Sequence, residues 1–195
     1  VTKSETKSGL RTQAIGRRGK VGERAREAFA ARIAVEGVQI ARRACARTVA
    51  AFWPIGAEAD TRALVAALAY HQFITCLPVT PARGNPLVFR RWRPGQPMVE
   101  GPMGLFEPAP SAPPARPDVV FAPLAAFDRR GFRIGYGAGY YDITLARLRA
   151  EGLGPAVGIA FACQEIPRVP EEAHDQPLDY ILTETELIDC SLAWT

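Results

Sequence analysis

Thr48-Val-Ala-Ala-Phe-Trp53, then Asp60-Thr61, the apolar-rich Ala63–Tyr70 and Phe73-Ile-Thr-Cys-Leu77, is the stretch that decides the fold. The first run is apolar, too short for a helix and ended by Pro54, so it reads as a buried strand. Asp60-Thr61 offers a helix N-cap. Phe73–Leu77 reads as a second strand, ended by Pro78. Strand, helix, strand in that order signals an α/β sheet.

Working outward, residues 21–46 read as an amphipathic helix, with Ala25, Ala28, Phe29, Ile33 and Ile40 near a 3.6-residue period. Gly9, Gly16 and Gly19 weaken helix formation before it, so residues 1–20 are expected to be a less regular basic arm. Downstream, residues 78–123 hold 12 of the 17 prolines. Leu87–Trp92 remains a candidate strand there, and 93–117 reads as a long irregular excursion, of the kind that is either disordered or functional. Val119–Ala122 returns as a strand. A helix over 142–151 and strands over Ala156–Phe161 and Tyr180–Thr183 follow. The expected fold is one open, mostly parallel α/β sheet flanked by helices, Rossmann-like in three layers, formed by residues 1–195 as a single domain.

Composition narrows the classes. With 48% hydrophobic and 23% charged residues, the chain has the makeup of an ordinary soluble domain with a sizeable core. No apolar run approaches bilayer length, and no apolar signal core follows the basic start, so a membrane location and secretion are not expected. Cys45, Cys76, Cys163 and Cys190 form no C-x-x-C pair, which argues against zinc and disulfide frameworks and fits a cytoplasmic, reducing setting. Residues 1–47 carry 12 Lys/Arg against 4 acids, and the remainder 12 against 16. That asymmetry fits either an anionic partner at the N-terminal segment or a solvated helix face. Phe29 is the sole aromatic residue before Phe52, so nucleic acid is not the expected partner.

Chemistry concentrates in Phe127-Asp-Arg-Arg-Gly-Phe-Arg133-Ile134-Gly135-Tyr136-Gly137-Ala138-Gly139-Tyr140-Tyr141-Asp142. Alternate glycines let a backbone approach a ligand closely, and N–H groups ahead of a helix N-terminus suit phosphate. Arg133 can add a bidentate contact, the tyrosines can stack on a flat ring, and Asp142 can hold Mg²⁺ against phosphate oxygens. The loop is neither a Walker A nor a dinucleotide fingerprint. A glycine-rich turn with core-packing tyrosines and Asp142 capping a helix accounts for the same residues.

The longer string Pro123-Leu-x-x-Phe-Asp-x-x-Gly-x-Arg-Ile-Gly-Tyr-Gly-x-Gly-Tyr-Tyr-Asp142 resembles the signature of the 5-formyltetrahydrofolate cyclo-ligase family. Lys7-Ser-Gly-Leu-Arg11 is similar to its N-terminal Lys-x-x-Leu-Arg element. Phe52-Trp53-Pro54 with Glu58-Ala-Asp60-Thr61, Glu107-Pro108, and His174-Asp175-x-x-Leu-Asp179 follow in family order.

The resemblance implies ATP-dependent closure of 5-formyltetrahydrofolate to 5,10-methenyltetrahydrofolate with release of ADP and phosphate. It implies ATP contacts from Lys7, Arg11 and the Arg133–Tyr141 segment. It also implies folate contacts from Trp53, Glu58 and Tyr136–Tyr140, and Mg²⁺ ligation by Asp142 and Asp175. Lys7, Arg11 and Arg133 carry the catalytic charge neutralisation in this reading, and the chain acts as a monomer. His71 and His174 are read as structural or positional. Two departures stand out. Ala138 replaces a Gly or Lys, which costs backbone strain if that position needs positive φ, and Ile143 replaces an Arg common in bacterial members. They keep open an alternative, a catalytically impaired paralogue that binds nucleotide or folate without turnover.

Overall fold

The computed structural model describes residues 6–194. In chain order the helices and strands are α1 (Lys7–Gly19), α2 (Glu23–Arg43), β1 (Thr48–Ala50), α3 (Arg62–Tyr70), β2 (Ile74–Val79), β3 (Val88–Arg91), β4 (Met98–Glu100), β5 (Phe106–Pro108), β6 (Val119–Pro123), β7 (Ala126–Phe127), β8 (Arg133–Ile134), α4 (Tyr140–Ala150), β9 (Ala156–Ile159), β10 (Tyr180–Leu182) and β11 (Leu187–Asp189).

Seven strands form the main sheet in the order β11-β10-β9-β6-β1-β2-β3. The five inner strands run parallel, and the edge strands β3 and β11 pair antiparallel. The sheet is buried on both faces, which is why its central strands read as continuous apolar runs. Alternation along β6 assigns the faces. Val119 and Phe121 join Phe29, Ile33, Leu64 and Leu68 of α2 and α3. Val120 and Ala122 join Leu145 and Leu148 of α4. Gly37 lets α2 and α3 close up, since a Cβ there would meet the Leu64 side chain at 2.5 Å.

β1 connects through α3 to β2 on one side, and β6 connects through α4 to β9 on the other. The strand order therefore reverses between β1 and β6, and the chain leaving their carboxyl ends opens a crevice where ligands of open α/β sheets bind.

Three sequence expectations change. The N-terminal segment is no irregular arm: residues 7–19 form a regular helix, capped by the Thr6 hydroxyl, which accepts from Gly9 N. Leu10 and Ala14 pack against Ala126, Phe132, Ile134, Ile166 and Val169, and that burial outweighs glycine's cost of about 1 kcal/mol each. The expected arm began at residue 1, and residues 1–5 lie outside the described residues. The excursion over 93–117 is only partly irregular, because β4 and β5 form a hairpin within it. Pro78 does not end the second strand. It pairs with Phe89 beyond the last β1 pairing at Cys76, where its missing N–H disrupts no shared ladder. At the expected N-cap, Asp60 accepts from Arg62 N at 2.9 Å, while the Thr61 hydroxyl turns inward to Phe52 O at 2.5 Å.

Candidate active site

A cleft of about 540 Å³ opens at the carboxyl ends of β1, β2 and β6. Phe52, Trp53 and Glu58 enter from the segment after β1, and Pro78 and Thr80 from β2 and its exit. Leu105, Phe106 and Glu107 come from the β4–β5 hairpin, and the Arg133–Asp142 segment closes the far side. One half is apolar and aromatic. The other carries Arg133, Asp142 and the glycine backbone.

Left-handed backbone in the Gly-Tyr loop falls on Gly137 (φ 101°) and Gly139 (φ 70°), whereas Ala138 lies outside that region. The strain anticipated for an alanine at 138 does not arise. Gly139 caps α4, so Tyr140 and Tyr141 are the helix's first residues rather than loop. The Tyr140 hydroxyl donates to Pro81 O at 3.0 Å, which sets its ring between the loop and the exit of β2.

Arg133 is 7% exposed. It donates to Gln176 O at 2.5 Å and Asp142 Oδ1 at 2.8 Å, and Gln176 N donates to the same Asp142 oxygen at 3.0 Å. Burial pulls the guanidinium's pKa down, and the charges of Asp142 and Asp175 oppose that pull. Lys7 Nζ lies 2.7 Å from Asp175 Oδ2, which also accepts from Glu172 N. Arg11 Nε donates to Gly135 O at 2.6 Å. Lys7, Arg11 and Asp175 do not themselves line the cleft: α1 sets Arg11 behind the Gly-Tyr loop at Gly135 O, and Lys7 against Asp175.

Among the described residues, hydrogen bonds to Asp142 fall on Oδ1 and those to Asp175 on Oδ2. That leaves Asp142 Oδ2 to a hard cation, whereas Asp175 Oδ1 also lies 3.7 Å from His174 Nε2. Two carboxylates completed by phosphate oxygens and water fit Mg²⁺. Glu172, His174 and Asp175 also cluster with their ligand atoms within 4.8 Å, but Lys7 sits on that group's acidic side. His174 is exposed, and His71 closes α3 beside Arg42 at 3.1 Å.

Glu58 is 8% exposed, and its Oε2 accepts from Ile55 N at 2.9 Å. Burial raises its pKa, against the pull of the Tyr136 hydroxyl, the Ile55 amide and the Arg18 charge. Trp53 lines the cleft and also packs edge-on against Trp92, with ring centroids 5.2 Å apart. It serves wall and core together.

Two charged residues of the cleft receive no role from the sequence. Arg18 is a charged residue on a buried stripe, four after Ala14 and eight after Leu10, and that periodicity is legible once a helix is assumed. Glu107 was noted only as part of a Glu-Pro pair. It is 5% exposed, with Oε1 accepting from Thr80 N at 2.9 Å.

Residues 3–184 match the family model described as the 5-formyltetrahydrofolate cyclo-ligase family. The chain belongs to that family. It is 35% identical over 188 residues to the 5-formyltetrahydrofolate cyclo-ligase of Mycolicibacterium smegmatis, covering 91% of this chain and 93% of that protein. It is 35% identical over 142 residues to the Haemophilus influenzae enzyme of the same name, covering 70% and 75%. Among solved structures, the Aquifex aeolicus 5,10-methenyltetrahydrofolate synthetase superposes with a TM-score of 0.77 at 28% identity, covering 94% of this chain and 92% of that one. A synthetase from Mycoplasma pneumoniae shares the fold at 21% identity and a TM-score of 0.72.

Proposed function

We propose that this cyclo-ligase converts 5-formyltetrahydrofolate to 5,10-methenyltetrahydrofolate, consuming ATP with Mg²⁺ and releasing ADP and phosphate. The observation that carries the reading is the division of one cleft: an aromatic half ending at the buried carboxylate Glu58, and a charged half built from the Gly-Tyr loop, Arg133 and Asp142. The first half suits a flat pterin with ring and amino N–H groups. The second suits a polyphosphate.

The formyl group is amide-like and a poor electrophile. Transfer of the γ-phosphoryl group to its oxygen gives an iminium phosphate and ADP. The neighbouring folate nitrogen then attacks the activated carbon and gives up its proton to solvent, and phosphate departs with the former formyl oxygen. Such chemistry requires positioning and charge neutralisation rather than a nucleophilic side chain. In this reading Lys7, Arg11 and Arg133 neutralise phosphate charge, and the backbone from Ile134 to Gly139 lies against the nucleotide. Asp142 and Asp175 hold Mg²⁺, which supplies further charge neutralisation when bound. Trp53, Tyr136 and Tyr140 flank the pterin, and Glu58 accepts its N–H groups. The protein works as a cytoplasmic monomer.

The test is growth of methenyl-folate absorbance from 5-formyltetrahydrofolate. Turnover is expected with ATP and Mg²⁺ together, and none with either withheld. Folate binding without turnover under full conditions would instead select a binding paralogue.

Glu58 gives a second test. Its folded pKa lies above the usual carboxylate value, so the native state holds this proton more tightly than the unfolded chain. Stability linked to it is present below the unfolded value and is lost as pH rises through the folded one. Glu58→Gln is therefore expected to melt slightly above wild type at pH 7, with the gap closing as pH falls through the folded pKa and gone below the ordinary carboxylate value of 4.5. The same variant is expected to raise the KM for 5-formyltetrahydrofolate at least tenfold, in line with loss of a charged hydrogen-bond acceptor. A change confined to the ATP KM would remove Glu58 from the pterin site.

A further inference from the structure

Arg18 is a buried cation with no role in the proposed reaction, although it lines the same cleft. It is 5% exposed at the end of α1, and its Nη1 donates to the Tyr136 hydroxyl at 2.7 Å. A guanidinium can only donate, so the Tyr136 oxygen accepts. The Tyr136 proton is then left to face the Glu58 carboxylate, which lines the same cleft.

The surroundings explain why an arginine is tolerated there. Its Nε is buried with no hydrogen-bond partner among the described residues, and the guanidinium carbon sits 5.9 Å from the centre of the Tyr136 ring. Such a cation is costly without a nearby negative charge. Glu58, on the same cleft wall, supplies one. The Tyr136 ring itself remains half exposed while its hydroxyl is held. Arg11, seven residues earlier on the same face of α1, holds Gly135 O. One helix thus grips the Gly-Tyr loop at a backbone carbonyl and at the side chain beside it.

We infer that Arg18 is a positioning residue of the folate half of the cleft, acting through the Tyr136 hydroxyl to hold Glu58 as an oriented, ionised acceptor for the pterin. The inference rests on the reading of Glu58 given above. The charged and titratable groups facing Glu58 are Arg18 from α1, and Tyr136 and Tyr141 from the loop and the start of α4. Arg18 is the one cation among them, so its removal leaves desolvation of the carboxylate less opposed.

The test compares Arg18→Met, Tyr136→Phe, their double variant and Glu58→Gln by steady-state kinetics across pH, with melting temperatures alongside. Arg18→Met is expected to raise the KM for 5-formyltetrahydrofolate about tenfold, the scale of one lost charge-assisted hydrogen bond, with a smaller change in the ATP KM. The acid limb of kcat/KM for the folate should move to higher pH. Tyr136→Phe should raise the folate KM similarly, and the double variant should be little worse than Tyr136→Phe alone. Additive effects of the two changes, or equal rises in both KM values with an unmoved pH limb, would overturn the inference. If Arg18→Met does not fold, Tyr136→Phe and Arg18→Lys decide: a folate KM unchanged in both overturns it. An elevated folate KM in Glu58→Gln with none in Arg18→Met defeats the inference alone. An unchanged KM in Glu58→Gln defeats the reading of Glu58 and the inference with it.

Discussion

Replacing Arg133 with alanine is expected to lower turnover by about a hundredfold to a thousandfold, the usual consequence of removing one preorganised charge-stabilising donor. It is also expected to destabilise the fold by about 3 kcal/mol, the low end for breaking a buried ion pair, because Asp142 retains some solvent contact. Arg133 ties three separate segments. It is fixed in β8, its fork reaches Asp142 at the start of α4 and Gln176 in the segment after Asp175, and Gln176 N closes the triangle on Asp142 Oδ1. Alanine leaves the Asp142 carboxylate without its counter-charge and the Gln176 carbonyl without a donor. Both changes loosen the two proposed Mg²⁺ ligands relative to each other. Urea unfolding and initial rates against ATP at saturating folate separate the two losses. Arg133→Lys should recover part of the stability and little of the rate, since an ammonium keeps the charge but cannot span both acceptors. Unchanged ATP dependence in Arg133→Ala would take Arg133 out of the nucleotide half of the site.

The legible parts of the molecule were those in which one local segment carries its own reason. Apolar runs at 48–53, 73–77 and 119–122 read as buried strands because a sheet covered on both faces demands them. The loop from Arg133 to Asp142 read as a site because glycine, arginine and carboxylate chemistry lie side by side in sequence. What stayed hidden depended on distant partners. Helix α1 carries unfavourable glycines and is secured by residues more than a hundred positions away in β8 and the segment after β9. The β4–β5 hairpin is masked by its prolines, and only its docking beside β2 shows that it walls the cleft. Arg18 looked like one more surface charge in a basic stretch until Ala14 and Leu10 proved to be buried on its side of the helix. Ala138 shows the same limit from the other direction. Sequence could list which residues of the loop tolerate positive φ, but not that Gly137 and Gly139 would take it and leave Ala138 in ordinary backbone.

Gly131→Ala is expected to cost about 3 kcal/mol or more, a fall in melting temperature of roughly 10 °C for a chain of this size. Gly131 has φ +86°, which already costs alanine about 1 kcal/mol. The larger share is steric. A Cβ would lie inside van der Waals contact of the Leu178 carbonyl oxygen, with Leu178 N at 3.0 Å and the Cys190 Cβ at 3.1 Å. Backbone cannot yield as a flexible side chain does, because Gly131 O also accepts from Leu178 N at 2.8 Å. Relief must come from pushing the segment around Leu178 outward. That segment carries Gln176 and Asp175, so the displacement should reach Arg133 and the proposed metal ligands and lower activity even in the folded fraction. Gly152→Ala isolates the backbone contribution: its φ of +82° is nearly the same, and a Cβ there meets nothing within 4 Å. It should cost about 1 kcal/mol and leave turnover intact. Thermal melts and specific activity of the two variants decide the matter. Equal losses in both would show that left-handed backbone alone, and not the close approach of Leu178, requires glycine at 131.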